Sequence, residues 1–159
     1  MTREDAYYER IMLLCGYWED YDRWLDSNLE KEEPLSNIVL ELLDCCGNFK
    51  EIEYRLHLFC LEKPFNEEAV YERLRLFLRD KYKSGEWSKD DVMSALLRFS
   101  AKIPFCDFQN HCSALSDYYV LVEEGIVSMT RFDTIFERFL EDGKNFDTKD
   151  FWGEGEPRI

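Results

Sequence analysis

The sequence predicts an all-α protein of about eight helices in antiparallel hairpins, built as a compact bundle or as a short HEAT-like array. Apolar residues recur at three- and four-residue spacing along most of the chain, which is typical of helices with one buried face. Residues that start and stop helices interrupt this pattern at regular intervals. The 159 residues include only 7 Gly and 4 Pro, too few for the many tight turns of a β-sandwich.

Caps and breaks define the first four helices. Thr2, with Asp5 three residues later, resembles a capping box. Gly16 interrupts the first helix, Pro34 follows the second and Gly47 stops the third, because Pro cannot continue a helix and Gly readily ends one. These helices span residues 3–15, 17–28, 36–46 and 48–64. The apolar stripe of the second helix contains Trp18, Tyr21, Trp24 and Leu25, that of the third contains Ile38, Leu42 and Cys45, and that of the fourth contains Phe49, Ile52, Leu56, Phe59 and Cys60.

The last four helices carry clearer start signals. Ser88 and Asp91 form the best capping box in the chain, and Asn66, Asp107 and Ser128 are the predicted N-caps of the other three helices. These helices span residues 66–85, 88–104, 107–124 and 128–143. The apolar stripe of the first of them contains Val70, Leu74, Phe77 and Leu78, and that of the next contains Val92, Ala95, Leu96 and Phe99. The stripe of the helix over 107–124 contains Phe108, Cys112, Leu115, Tyr119 and Val122, and that of the last helix contains Phe132, Ile135, Phe136, Phe139 and Leu140.

The length suits one domain, and its 45% hydrophobic and 16% aromatic residues can supply the core. We expect residues 1–143 to form a single α-helical domain. Residues 144–159 are expected to form a C-terminal tail, partly packed through Phe151 and Trp152.

Two helix junctions look alike. Each has a glycine (Gly85 or Gly125), two further residues and a capping serine (Ser88 or Ser128), and Gly47 begins a shorter version. Offsets of roughly 40 residues occur in HEAT-type arrays. Any well-capped helical hairpin would give the same pattern, so the repeat and the plain hairpin both stay open.

The formal net charge of −14 disfavours binding to nucleic acids and to anionic membranes, since both are bound through Lys and Arg. It favours encounter with a basic protein surface. Solubility alone is the alternative reason for an acidic surface.

The cysteines and the N-terminus predict a cytoplasmic protein. The 6 Cys include the adjacent pair Cys45 and Cys46, which rarely suits a disulfide framework. The first residues lack the basic cap and apolar run of a signal peptide. No apolar stretch approaches the length of a membrane span.

The residues that could carry chemistry do not form a recognisable catalytic or metal site. His57 and Cys60, or Cys106, His111 and Cys112, could serve as ligands, but there is no Cys-x-x-Cys pair and no usual His spacing. We therefore predict no enzyme activity and no cofactor, and no role is assigned to Cys106, His111 or Cys112.

Acidic and aromatic residues are interleaved near the N-terminus, most densely at residues 18–26, which we call the acidic aromatic segment. Exposed aromatic and acidic side chains together can anchor a basic partner through cation–π contacts and ion pairs. Packing of Trp18 and Trp24 in the core, with the acids merely solvated, is the alternative. The candidate contact residues are Trp18, Glu19, Asp20, Tyr21, Asp22, Asp26, Asp147, Asp150 and Trp152.

Residues 121–128 (LVEEGIVS), followed by the stripe from Phe132 to Leu140, resemble the hairpin opening of colicin-D-type immunity proteins. Immunity proteins of this kind are small acidic helical bacterial proteins that neutralise basic toxins such as nucleases. The resemblance implies an inhibitor whose acidic residues occupy the substrate-binding surface of a toxin. Two alternatives stay open: a helical-repeat scaffold or adaptor that binds a protein or peptide, and an enzyme or metal protein with a dispersed site.

Overall fold

A computed structural model describes residues 1–143 and Phe146, and within them it contains eight α-helices and no strand. This confirms the all-α class predicted from the sequence. None of these helices is both long enough and apolar enough to cross a membrane. The helices are α1 (Arg3–Leu14), α2 (Tyr21–Lys31), α3 (Asn37–Asp44), α4 (Phe49–Leu61), α5 (Glu67–Lys83), α6 (Lys89–Lys102), α7 (Asp107–Glu123) and α8 (Met129–Glu141).

The chain divides into two compact units, Met1–Arg73 and Leu74–Ile159. Helix α5 contributes its residues up to Arg73 to the first unit and the rest to the second. The single domain expected over residues 1–143 stays a prediction. The expected packing of the tail through Phe151 and Trp152 falls outside the described residues.

In the first unit, α1 and α4 lie antiparallel. Arg3, at the start of α1, forms an ion pair of 2.9 Å with Glu62, directly after the end of α4. Arg10, one helical turn from the end of α1, forms an ion pair of 2.8 Å with Glu53 near the start of α4. The buried side chains of this unit include Ala6, Ile11, Leu13, Val39, Leu42, Ile52, Leu56 and Val70.

In the second unit, α6, α7 and α8 run alternately up and down. The Tyr119 hydroxyl at the end of α7 donates a hydrogen bond to Asp90 at the start of α6. At the other end, the Gln109 side chain donates to the carbonyl of Ser100 at 2.9 Å. Two ring pairs join opposite ends of α7 and α8 in the same way: Phe108 with Phe139, and Tyr118 with Phe132.

Helices α4, α6 and α8 start in the same manner at a fixed spacing. Their N-caps are Asn48, Ser88 and Ser128, so each cap lies 40 residues after the one before it. Each cap side chain accepts a hydrogen bond from the backbone amide three residues later, which satisfies one of the free amides of the first turn. Buried side chains follow each cap after four and eight residues: Ile52 and Leu56, Val92 and Leu96, Phe132 and Phe136.

The glycine junctions of the second unit also share one structure. Gly85 and Gly125 follow α5 and α7 with φ of +78° and +76°. This is a left-handed backbone conformation that residues with a Cβ rarely adopt. Two residues after each glycine, a backbone amide donates a hydrogen bond back to the last turn of the preceding helix: Trp87 to the carbonyl of Lys81 at 3.0 Å, and Val127 to the carbonyl of Leu121 at 3.3 Å. The two junctions that looked alike in the sequence therefore have the same local geometry.

The predicted start of α2 at residue 17 was wrong, because α2 begins at Tyr21. Gly16 adopts a left-handed φ of +86°, and the amide of Tyr17 donates to the carbonyl of Met12 at 2.9 Å. These features end α1 and leave residues 17–20 as an irregular connection. Trp18 therefore lies outside any helix, although its spacing to Tyr21 fits one.

The predicted cap of α7 was also wrong. Cys106, not Asp107, is the N-cap, and its sulfur accepts a hydrogen bond from the amide of Gln109 at 3.4 Å. Within α7, Tyr118 is buried while Tyr119 is only half-buried. Cys112 and Leu115 are buried as predicted, and the inward stripe departs from the prediction at Tyr118, which takes the place of Tyr119.

Replacing Ser88 with alanine should lower the free energy of unfolding by about 1 kcal/mol, because the Ser88 hydroxyl no longer accepts the hydrogen bond from the amide of Asp91. Urea denaturation followed by circular dichroism measures the change. Ser94→Ala, at an exposed position inside the same helix, is the control and should change stability by less than about 0.5 kcal/mol. Equal losses in the two variants would contradict the assigned cap.

Candidate protein-interaction site

Negative charge is concentrated in the first unit. Residues 1–73 contain 18 Asp and Glu against 8 Lys and Arg, a net charge of −10, whereas residues 74–159 contain 16 against 12, a net charge of −4. The local potential rather than the total charge steers a charged partner to a surface. Of the two units, the first therefore has the greater excess of negative charge with which to attract positive charge.

The acidic aromatic segment forms the connection between α1 and α2 and the first turns of α2. Trp18 is 44% exposed, and its ring lies 4.6 Å from the ring of Phe49 at the start of α4. The tilted contact with Phe49, at an interplanar angle of 53°, supports the indole of Trp18 at the surface while leaving much of it exposed. A partly supported, partly exposed tryptophan of this kind is a common anchor in protein interfaces.

The acids predicted as contacts are at the surface. Glu19 and Asp20 lie in the connection, while Asp22 and Asp26 lie four residues apart on one face of α2, and all four are exposed. Asp20 is the N-cap of α2 but makes no side-chain capping hydrogen bond, and its carboxylate instead lies 3.5 Å from Arg23. Because that ion pair is solvent-exposed, it is weak and a partner's cation can compete for the carboxylate.

Tyr21 does not belong to this surface. Its side chain is 6% exposed, and its hydroxyl is buried without a hydrogen-bond partner. Burial raises the pKa of the Tyr21 phenol, and the nearby Cys45, Asp22 and Glu9 raise it further. Tyr21 is thus a core residue of the first unit. The predicted contacts Asp147, Asp150 and Trp152 lie outside the described residues.

A second acidic feature, not predicted from the sequence, lies at the end of α3. A groove of about 390 Å³ is lined by Glu41, Asp44, Cys45, Glu51 and others. The last turn of α3 contains no basic residue, although the carbonyl end of a helix favours cations and disfavours acids. Asp44 in that last turn is a sequence signal for excess negative charge at this helix end, but the groove itself also needs α4.

The groove is close to Trp18 in the fold. Asn48 lines it, and the next residue, Phe49, carries the ring that packs on Trp18. Within the part of the chain that the structure describes, Arg55 is the one basic residue in its lining, and it lies 3.7 Å from Glu51. The surface around the start of α4 therefore combines an exposed indole with excess carboxylates, which suits it to bind Lys and Arg side chains.

Glu9 in α1 is a buried acid of the first unit that lies near Asp20 of the acidic aromatic segment. Its side chain is 5% exposed, and among the described residues it makes no hydrogen bond or ion pair. Burial raises the pKa of Glu9 to about 7, and Asp20 and Asp5 add to that effect while Arg73 opposes it. Arg73 is engaged elsewhere, pairing with Asp5 at 2.8 Å and stacking 4.2 Å above the Tyr8 ring.

The cysteines and histidines have structural surroundings. Cys106 caps α7, Cys112 is buried, and the ring of His111 packs edge-on against Phe146 at 4.9 Å. Burial raises the pKa of the Cys60 thiol to about 11, so this thiol is not poised to be a nucleophile. Across residues 1–143 and Phe146, no group of three or more His, Cys, Asp or Glu side chains has an arrangement that could hold a metal ion.

Comparison with known proteins gives no family assignment. No model of a protein family, no curated protein and no solved structure matches this chain. The function must therefore be argued from the geometry, and what the described surface can do is bind positive charge beside an exposed tryptophan.

Replacing Glu9 with glutamine should stabilise the protein at pH 8 by about 1–3 kcal/mol, because the folded state then no longer buries a charge. The pKa of Glu9 is about 7 in the folded protein, well above its value in the unfolded chain. Its ionisation therefore leaves stability intact at low pH and lowers it as the pH rises through about 4.5 to 7.

Urea denaturation of wild type and Glu9→Gln at several pH values measures this effect. The gain from the substitution should shrink towards zero below about pH 4.5, where Glu9 is protonated in both states. Glu30→Gln, at an exposed position of α2, removes the same formal charge and should change stability by less than about 0.5 kcal/mol. A gain that persists unchanged at low pH would contradict the explanation.

Proposed function

We propose that this protein is an acidic inhibitor that binds a basic protein, most simply an immunity protein that neutralises a basic toxin such as a nuclease. The observation that carries the proposal is the exposed Trp18 surrounded by exposed carboxylates on a unit of net charge −10. The resemblance of residues 121–128 to colicin-D-type immunity proteins supports the same class.

The mechanism is occupation of a basic surface. A nuclease binds phosphates through Lys and Arg, and carboxylates at a similar spacing can occupy those positions. Asp20, Asp22 and Asp26 would meet the toxin's cations, and Trp18 would supply the apolar anchor. Charge complementarity speeds the encounter, while the buried anchor slows dissociation.

The groove at the end of α3 supports the proposal. The carbonyl end of the helix and the carboxylates of Asp44 and Glu41 repel one another in the free protein. A Lys or Arg side chain from the partner would relieve that repulsion on binding. In this proposal the groove is a second contact, next to Trp18.

The proposal includes a cytoplasmic location and retains the predicted contacts Asp147, Asp150 and Trp152. Support for the location comes from the six cysteines, all of which are free thiols, as suits a reducing compartment.

A second candidate function is a helical-repeat scaffold or adaptor. It is favoured by the 40-residue spacing of the N-caps Asn48, Ser88 and Ser128, since repeat proteins bind partners on surfaces built from successive repeats. A scaffold that binds mainly through apolar contacts should hold its partner at high salt, so salt dependence separates the two candidates.

Binding to the partner should be salt-sensitive and should depend on the acids of α2. The immobilised protein is used to capture partners from a native lysate at about 0.1 M salt, and the captured protein is identified, purified and tested for toxic or nuclease activity. We expect a basic protein that elutes by about 1 M salt, where the screening length falls to about 3 Å. Its activity should fall when one equivalent of the inhibitor is added.

Two variants of equal net charge test the site. Capture should weaken at least tenfold in the triple variant that combines Asp20→Asn, Asp22→Asn and Asp26→Asn. It should weaken far less in the control, which combines three changes at exposed positions of the second unit: Asp80→Asn, Asp107→Asn and Glu124→Gln. Trp18→Ala should raise the dissociation rate. Equal effects of the two triple variants, or a partner whose activity is not inhibited, would contradict the proposal.

A further inference from the structure

A shallow groove of about 380 Å³ runs between α6 and α7 in the second unit. Its α6 wall contains residues 90, 93, 94 and 97, and its α7 wall contains residues 116, 117, 119, 120 and 123. Both sets follow the three- and four-residue spacing of one helix face. Since α6 and α7 are antiparallel neighbours, their two faces form a straight trough, the shape that accepts a third helix.

The trough has an apolar floor. Leu97 is 60% exposed and Val120 is 48% exposed, on opposite walls, and the buried Met93 lies one helical turn before Leu97 on the α6 wall. Neither residue belongs to the buried stripe of its own helix. The apolar surface of Leu97 and Val120 therefore stays in contact with water unless a ligand covers it. This uncovered pair is therefore available to a ligand.

Helices that begin at the 40-residue spacing differ from α6 and α7 at these two exposed positions. The position equivalent to Leu97 is Glu137 in α8, and it is His57 in α4. The position equivalent to Val120 in α7 is Asp80 in α5. These equivalent positions in α4, α5 and α8 therefore carry polar side chains, where α6 and α7 carry exposed aliphatic ones.

The rim of the trough is negative. Asp90, Asp117 and Glu123 line it, and among the described residues no Lys or Arg does. Tyr119 donates a hydrogen bond to Asp90 across the trough's end, which ties the two walls together. The trough therefore offers an apolar centre with carboxylates on its edges.

We propose that the trough between α6 and α7 binds a helical segment of a partner protein whose apolar face is flanked by Lys or Arg. Its apolar residues would cover Leu97 and Val120, and its cations would meet Asp117 and the acids at the end formed by Asp90 and Glu123. This is the helix-in-groove mode of recognition with charge complementarity at the rim.

Charge selects this occupant over the others. A second copy of this chain would bring another net charge of −14 to an already negative rim, which like-charge repulsion disfavours. Nucleic acids and anionic lipids would be repelled in the same way. An apolar segment with basic flanks is the occupant that both the floor and the rim accept.

This inference rests on the proposed function, which supplies the assumption that the partner is positively charged. It adds a contact surface on the second unit to those proposed on the first. The probe is a synthetic peptide of about 14 residues, or four helical turns, with Leu on one helical face and Lys elsewhere. The full-length ¹⁵N-labelled protein is titrated with it, and amide shifts locate the binding site. We expect the largest shifts at residues of the α6 and α7 walls.

Matched variants test the floor and the rim separately. Val120→Lys should weaken peptide binding roughly tenfold or more, because it removes apolar contact and repels the peptide, whereas Ile126→Lys, at 49% exposure outside the trough, should cost much less. Asp117→Lys should weaken binding more than Glu124→Lys. A peptide with Glu in place of Lys should bind at least tenfold more weakly.

The outcomes separate this inference from the proposed function. If the peptide shifts only residues of the acidic aromatic segment, or if Val120→Lys and Ile126→Lys act alike, the trough is overturned while the proposed function stands. If the trough variants lose the peptide but no basic partner is captured by the whole protein, the inference holds and the proposed function falls. Concentration-dependent dimers abolished by Val120→Lys would assign the trough to a second copy and overturn the inference.

Discussion

The burial of one apolar stripe per helix is the constraint on which the rest of this structure depends. In α2, Tyr21 and Leu25 point inward, so Asp22 and Asp26, one residue further round, must face solvent. In α6, burial of the stripe through Leu96 sets Leu97 at the surface. The acidic face and the apolar trough are both consequences of how the inward stripes are oriented.

Electrostatics act against this packing in the first unit. The acids of residues 1–73 repel one another, and Glu9 adds a carboxyl that the fold buries without a partner. An acidic surface lowers the stability of the free protein, and a bound basic partner would restore it. Strain of this kind is expected where a surface is shaped for binding rather than for stability.

Much of the fold could be predicted because helix starts depend on local chemistry. Ser88 and Ser128 were recognised from their own side chains and from the residues that follow. The start of α2 could not be recognised, since Trp18 has the spacing of a helix while the left-handed Gly16 redirects the chain before it. A thiol cap such as Cys106 is a weak acceptor, and its neighbour Asp107 looked like the better cap.

The candidate site was predictable only in part, because exposure depends on tertiary packing. Trp18 and Tyr21 lie in the same acidic context and had the same sequence signal, yet one is exposed and the other is buried. The groove at the end of α3 and the trough between α6 and α7 each need two helices to exist, so no single stretch of sequence reveals them. The fixed spacing of the helices supplies what the sequence pattern lacked. It relates Leu97 in α6 to Glu137 in α8, and this difference in residue type supports the proposed role of Leu97 in the trough.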